Sequence, residues 1–264
     1  MLRLALFGTV CFSDYLRGVG ALYDRGSQLQ SLYEHLPAGG REGGRRKHLT
    51  ARSDLVQEGE SAENVHVIVE GWTATYRTLE DGRRQIVSVL LPGDCHIGSL
   101  AEGRARYSLG AITSCVVDVF PVSAVRRAIE TDPVLRQDFW SALLASVSMQ
   151  QEWTVMLGRR TAMERLGHLF CELLYRMRQI GRVVDDSCYF PLTQVDLADA
   201  VGLTPVHLNR TLQALRASQL VSLDHRRLAV LDMERLTSLS LFAPLYLDHG
   251  VPRHSMAAGA RAHG

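Results

Sequence analysis

From Val134 to Leu157 the chain runs without a glycine or proline, and its apolar side chains return every three or four positions. Leu135, Phe139, Ala142, Leu143, Val147, Gln150, Trp153 and Leu157 keep this rhythm, the period of an α-helix and not of a strand. Thr131-Asp132-Pro133 supplies a start, since proline in the first turn forfeits no hydrogen bond and an acid there meets the positive end of the helix dipole. At about 1.5 Å per residue such a rod passes 30 Å, more than a small β-domain needs for cover. It is either a core helix or a seam between two copies of the chain, and its length favours the seam. The expected dimer contacts are Leu135, Phe139, Leu143, Val147, Gln150, Trp153 and Leu157.

This helix separates two halves of different pattern. Upstream, residues 49–120 are short apolar runs cut by turn signals. Val65–Val69 ends at Glu70-Gly71, Trp72–Thr78 at Glu80-Asp81-Gly82-Arg83, and Gln85–Leu91 at Pro92-Gly93-Asp94. Ser108–Phe120 is a further β-branched run. Strands this short and close form a closed or sandwiched antiparallel sheet. Before them, Leu29, Leu32, Tyr33 and Leu36 share a helical face, and Arg41, Arg45, Arg46 and Lys47 make a basic loop expected to be solvated. Residues 1–28 carry little periodicity and are expected to be an extension; they lack a clear small-residue cleavage site.

Downstream, Met163–Met177 is amphipathic through Leu166, Leu169, Phe170, Leu173 and Leu174, with a stop at Gly181. The densest pattern follows, over residues 193–216. Thr193 stands three before Asp196, a capping pair, and Val195, Leu197, Ala198 and Val201 form an apolar face. Gly202 turns the chain, and Thr204-Pro205 opens a second helix buried through Leu208, Leu212 and Leu215. Two short helices joined by a glycine turn make a helix-turn-helix. Its outer face would carry Val206, His207, Asn209, Arg210 and Gln213. Arginine grips guanine O6 and N7 with two donors, and asparagine pairs with adenine. Thr193, Gln194, Thr204 and Pro205 lie where phosphates would pass. Leu220–Leu223 and Leu228–Leu231 read as strands of a wing, with Arg226 and Arg227 at its tip.

Charge argues the other way. The net charge of the chain is +1, and Asp185 to Arg235 holds five arginines against seven acids. A ligand-binding or protein-interaction module with a vestigial DNA-binding domain is therefore the alternative. Five scattered cysteines with no C-x-x-C pair fit a reducing cytoplasm and no metal site. No apolar run reaches the roughly 20 residues of a membrane span. No G-x-S-x-G, phosphate loop or H-E-x-x-H is present, so no enzyme is expected.

The order of these pieces resembles the Crp–Fnr superfamily of bacterial transcription regulators over roughly residues 50–232. The resemblance rests on Gln57-Glu58-Gly59-Glu60, Val67-Ile68-Val69-Glu70-Gly71-Trp72, Asp81-Gly82-Arg83, Pro92-Gly93-Asp94 with Ile97-Gly98, the long helix and the winged helix-turn-helix. It implies an α+β chain: a cyclic-nucleotide-binding-like antiparallel β-barrel (jelly roll), a long dimerisation helix and a C-terminal winged helix-turn-helix. The boundaries would be 1–28 extension, 29–125 barrel, 126–180 dimerisation and connector helices, 181–250 DNA-binding domain and 251–264 disordered tail. A cytoplasmic homodimer on a palindromic operator of double-stranded DNA is implied, with RNA polymerase as a partner of an activator and no membrane. The effector pocket would involve Ile97, Gly98, Ser99, Arg104, Arg106 and Ser108. Relatives that bind cyclic AMP carry a Glu after Ile-Gly and an adjacent Arg-Ser pair. Here Ser99 and Arg104-Ala105-Arg106-Tyr107-Ser108 stand instead, which disfavours cyclic AMP. One N-terminal cysteine, Cys11, disfavours an iron–sulfur cluster. No cofactor is expected, with haem through His66 or His96 left open.

Overall fold

The computed structural model describes residues 44–97 and 103–247. The expected extension (1–28), the helix over 29–36, Arg41, Cys11, Gly98, Ser99 and the tail (251–264) lie outside the described residues.

The upstream half folds as eight strands: β1 (Arg45–Leu49), β2 (Asp54–Val56), β3 (Asn64–Glu70), β4 (Thr73–Thr78), β5 (Arg84–Leu90), β6 (Cys95–His96), β7 (Ser108–Ala111) and β8 (Cys115–Pro121). They pair antiparallel in two four-stranded sheets, β1-β8-β3-β6 and β2-β7-β4-β5, which make the jelly-roll barrel. Alternation along β3 sets the layers. Val65 and Val67 pack outward on Val125 of α1 (Val122–Thr131), while Ile68 joins Val117, Val119, Leu49, Leu55 and Leu90 between the sheets. Gly71 lies at φ +85°, and a Cβ there would sit 2.4 Å from the Ser114 carbonyl oxygen, so this corner requires glycine.

Two readings of this half need correction. Arg45, Arg46 and Lys47 form strand β1 and not a loop, because an edge strand needs only backbone partners. Arg46 also donates two hydrogen bonds to the Asp118 carboxylate, at 2.8 and 2.9 Å. Ser108–Phe120 is two strands in different sheets, divided at residues 112–114.

Helix α2 (Pro133–Arg159) starts on Asp132, whose carboxylate accepts the N–H groups of Val134 and Leu135. Its expected dimer stripe is largely used within the chain. Leu135, Phe139 and Trp153 are buried, Leu157 packs on the main core, and Gln150 donates to the Val87 carbonyl at 3.0 Å. Leu143 is half-buried. The face left outward is Trp140, Leu144 and Val147, 55%, 63% and 44% exposed, at steps of four and three. Apolar residues lie on more than one face of α2, and periodicity alone merged two stripes into one.

Helix α3 (Ala162–Gln179) buries Leu166, Leu169, Phe170, Leu173 and Leu174 completely. Its polar members tie it to the rest. Glu172 accepts from Trp153 Nε1 at 3.0 Å and Tyr246 Oη at 2.9 Å. Arg176 pairs with Asp94 of the Pro92-Gly93-Asp94 turn and donates to the Val89 carbonyl at 3.0 Å. Burial pushes both carboxyls up, against the pull of Arg176.

The last unit holds β9 (Val183–Val184), β10 (Ser187–Tyr189), α4 (Gln194–Val201), α5 (Pro205–Ala217), β11 (Val221–Asp224), β12 (Arg227–Val230) and α6 (Met233–Ser240). Its sheet runs β11-β12-β10-β9. The β9–β10 hairpin escaped pattern reading, being too short to show an alternation. No described helix is long and apolar enough to cross a membrane.

Candidate nucleic-acid interface

The helix-turn-helix forms by the local rules its residues carry. Thr193 Oγ1 accepts the Asp196 N–H at 3.2 Å, while the Asp196 carboxylate accepts from Thr193 N at 2.9 Å and Oγ1 at 2.7 Å. α4 ends at Gly202, left-handed at φ +65°. α5 opens on Thr204, which accepts the His207 N–H at 3.3 Å, with Pro205 in the first turn. Leu208, Leu212 and Leu215 seal its inner side in the core that also holds Leu197, Ala198 and Val201.

The outer side of α5 presents Pro205, Val206, His207, Asn209, Arg210 and Gln213, all exposed. Thr193, Gln194 and Thr204 are exposed beside it. Val206 is 65% exposed, which gives this polar face one apolar contact point. Asn209 Nδ2 donates to Gln194 Oε1 at 3.2 Å, so the two side chains sit as a pair across the turn. Arg210 has no ion-pair partner among the described residues. Arg216, in contrast, donates to the Leu223 carbonyl and holds α5 to the wing.

The wing turns at His225 and Arg226, both with positive φ, the signature of a tight hairpin. Arg227 is exposed and pairs across to Asp224 and Tyr189. The Arg226 carbonyl accepts the Phe190 N–H at 2.8 Å. Arg226 also lines a cleft of about 810 Å³ that runs to Arg52, Gly71 and Thr113 of the barrel.

A feature that sequence reasoning missed lies on α4. Asp196, 1% exposed in its side chain, accepts two hydrogen bonds at 2.8 Å from Arg52, and Arg84 reaches both Asp196 and Asp199 at 2.7 Å. Both arginines come from the barrel, Arg84 opening β5 and Arg52 preceding β2. Burial alone would raise the Asp196 carboxyl, but hydrogen bonds from Arg52, Thr193 and Arg84 hold it well below the ordinary carboxylate range. Gln85 adds a contact to the Ala200 carbonyl at 3.4 Å. Two of the seven acids that made this unit look too negative are thus neutralised by cations from elsewhere in the chain.

Four of the expected effector residues, Ile97, Arg104, Arg106 and Ser108, are among the described ones. Ile97 packs with α1 and α2, Arg104 is exposed and donates to the Gly59 carbonyl at 3.0 Å, and Arg106 is exposed. Ser108 is buried and accepts the Glu58 N–H at 3.0 Å.

The comparisons agree with this architecture. Residues 46–132 match the cyclic nucleotide-binding domain family and residues 164–239 the Crp-like helix-turn-helix domain family. The nitrogen fixation regulation protein FixK of Bradyrhizobium diazoefficiens is 30% identical over 79% of this chain and 84% of its own length. The transcriptional activator protein FnrL of Cereibacter sphaeroides is 28% identical over 70% of this chain and 76% of its own. Among solved structures, FixK2 from Bradyrhizobium japonicum superposes with a TM-score of 0.67 at 27% identity, covering 76% of this chain and 98% of that one.

Proposed function

The chain belongs to the Crp–Fnr family of DNA-binding transcription regulators, and on that premise we propose that it reads a palindromic operator as a homodimer, with one α5 helix in the major groove of each half-site. The observation that carries this reading is the outer face of α5, where an unpaired Arg210 stands among exposed His207, Asn209 and Gln213 above a fully buried leucine row. Two such helices on a two-fold axis read half-sites about 34 Å apart, one turn of DNA. The exposed Trp140, Leu144 and Val147 of α2 supply the seam between subunits, at the spacing of a coiled-coil contact. Arg226 and Arg227 contact phosphates, and an activator of this kind works in the cytoplasm beside RNA polymerase. The effector in this proposal is not cyclic AMP, since Ser99 follows Ile97-Gly98 where relatives that bind it carry Glu, and residues 104–108 hold no adjacent Arg-Ser pair.

Selection of bound DNA from a random pool by the purified protein tests the reading. The expected product is an inverted repeat. Recovery of unrelated sequences, or Arg210→Ala retaining full selectivity for the recovered site, overturns it.

A further inference from the structure

The cleft between the barrel and the DNA-binding unit measures about 810 Å³, within the roughly 300–1,000 Å³ of small-molecule sites. Its floor is apolar: the buried side chains of Trp72 and Ile112 from the barrel and Met177 from α3 lie along it. Its rim is cationic. Arg52 precedes β2, Arg182 follows α3 and Arg226 stands at the wing turn, and all three are exposed. Arg52 is spent on Asp196, but Arg182 and Arg226 have no ion-pair partner among the described residues. Glu70 is the one acid of the lining, and its carboxylate is likewise unpaired. Two uncompensated guanidiniums on one cleft raise its positive potential, and low-dielectric walls concentrate anions there. None of these residues belongs to the effector set expected from the sequence, so the cleft is a separate place in the fold.

We propose that this cleft binds an organic anion with a flat apolar body, an aromatic carboxylate or phosphate that also carries an N–H or O–H donor. The body lies over Trp72, Ile112 and Met177, where it leaves water. The anionic group meets Arg182 and Arg226, whose planar guanidiniums suit carboxylate and phosphate oxygens. The donor meets Glu70, which is otherwise without a partner. Tyr189, 47% exposed, offers a ring at the side of the cleft. Such a ligand touches both halves at once, since Trp72 and Ile112 belong to the barrel while Arg182, Tyr189 and Arg226 come from beyond α3. Binding therefore stabilises the same seating of one half on the other that the Arg52–Asp196 pair holds from the neighbouring side.

The test titrates the full chain with anilinonaphthalenesulfonate, which joins an aromatic body to one anion and one N–H donor and fluoresces on leaving water. One saturable site per chain is expected, with a rise in Tm on loading. Arg182→Ala and Arg226→Ala should each weaken binding about five- to tenfold. Both side chains are exposed and unpaired, and near-UV circular dichroism verifies that the variants are folded. Arg106→Ala, on the barrel and outside the cleft, should bind as the wild type does. Phenylnaphthylamine, the same body without the sulfonate, should bind at least about tenfold more weakly. Absence of saturable binding overturns the proposal. Equal uptake of the two dyes overturns it as well, meaning that an exposed apolar face takes both. So does wild-type affinity in both folded arginine variants, or a loss in Arg106→Ala, which would put the anion in the barrel. The readout involves no DNA, so it stands or falls apart from the operator reading.

Discussion

The two helices of the helix-turn-helix carry their charge in opposite ways. α4 holds Asp196 and Asp199, both satisfied by arginines of the barrel, with Asp196 almost wholly buried. α5 holds Arg210, exposed and unpaired, beside hydrogen-bonding groups that also face solvent. The first helix is bound by its own chain, whereas the second is available to another molecule. The difference teaches that net charge is a poor guide to a DNA-binding unit. Two of the negative charges that lowered the sum are consumed inside the molecule, while the positive charge of Arg210 is left outside.

The contrast can be attacked from both sides. Asp196→Ala should have the largest effect, removing the shared acceptor of Arg52, Arg84 and Thr193 at a cost of about 2–3 kcal/mol. Thermal unfolding should show a Tm lower by several degrees, and an unchanged Tm would mean that the α4 grip contributes little. Arg210→Ala should do the reverse. Selectivity for the operator falls by about 1–3 kcal/mol, roughly five- to 150-fold, in a gel-shift titration, while Tm stays within experimental error.

A smaller effect follows from pH. The folded Asp196 carboxyl lies below its unfolded value, so its stabilisation is complete above the unfolded value of about 3.9 and is lost as pH falls below it. The stability gap between wild type and Asp196→Asn, measured by urea denaturation, should therefore narrow in acid. A gap that widens there reverses the assignment. Smallest of all, Arg226→Ala should weaken every DNA sequence alike and reduce the salt slope by about one. Loss of selectivity in that variant would move base reading from α5 to the wing.

Much of this architecture was legible because it is local. Thr193 with Asp196, Gly202, Thr204-Pro205 and the leucines at 208, 212 and 215 each announce a cap, a turn or a face within a few residues. What stayed hidden depends on partners far along the chain. Arg52 and Asp196 are 144 positions apart, and no periodicity connects them. β1 read as a loop since its basic side chains mask backbone pairing with β8. α2 gave its length but not its orientation, because Leu135 and Trp153 turn inward while Trp140 and Leu144 turn outward on the same helix. His66 and His96 were visible as two separate residues only, and the cross-strand register is what made them neighbours.

The arginines that reach from the barrel to α4 also limit how freely this protein can be recombined. A chimera cut in the connector near Arg160 would transplant Asp196 and Asp199 onto a foreign barrel, leaving a sealed carboxylate with no counter-charge unless that barrel offers cations at the matching places. The barrel and the DNA-binding half are thus separable on paper but not interchangeable parts, and a working hybrid has to carry Arg52 and Arg84 along with the DNA-binding half.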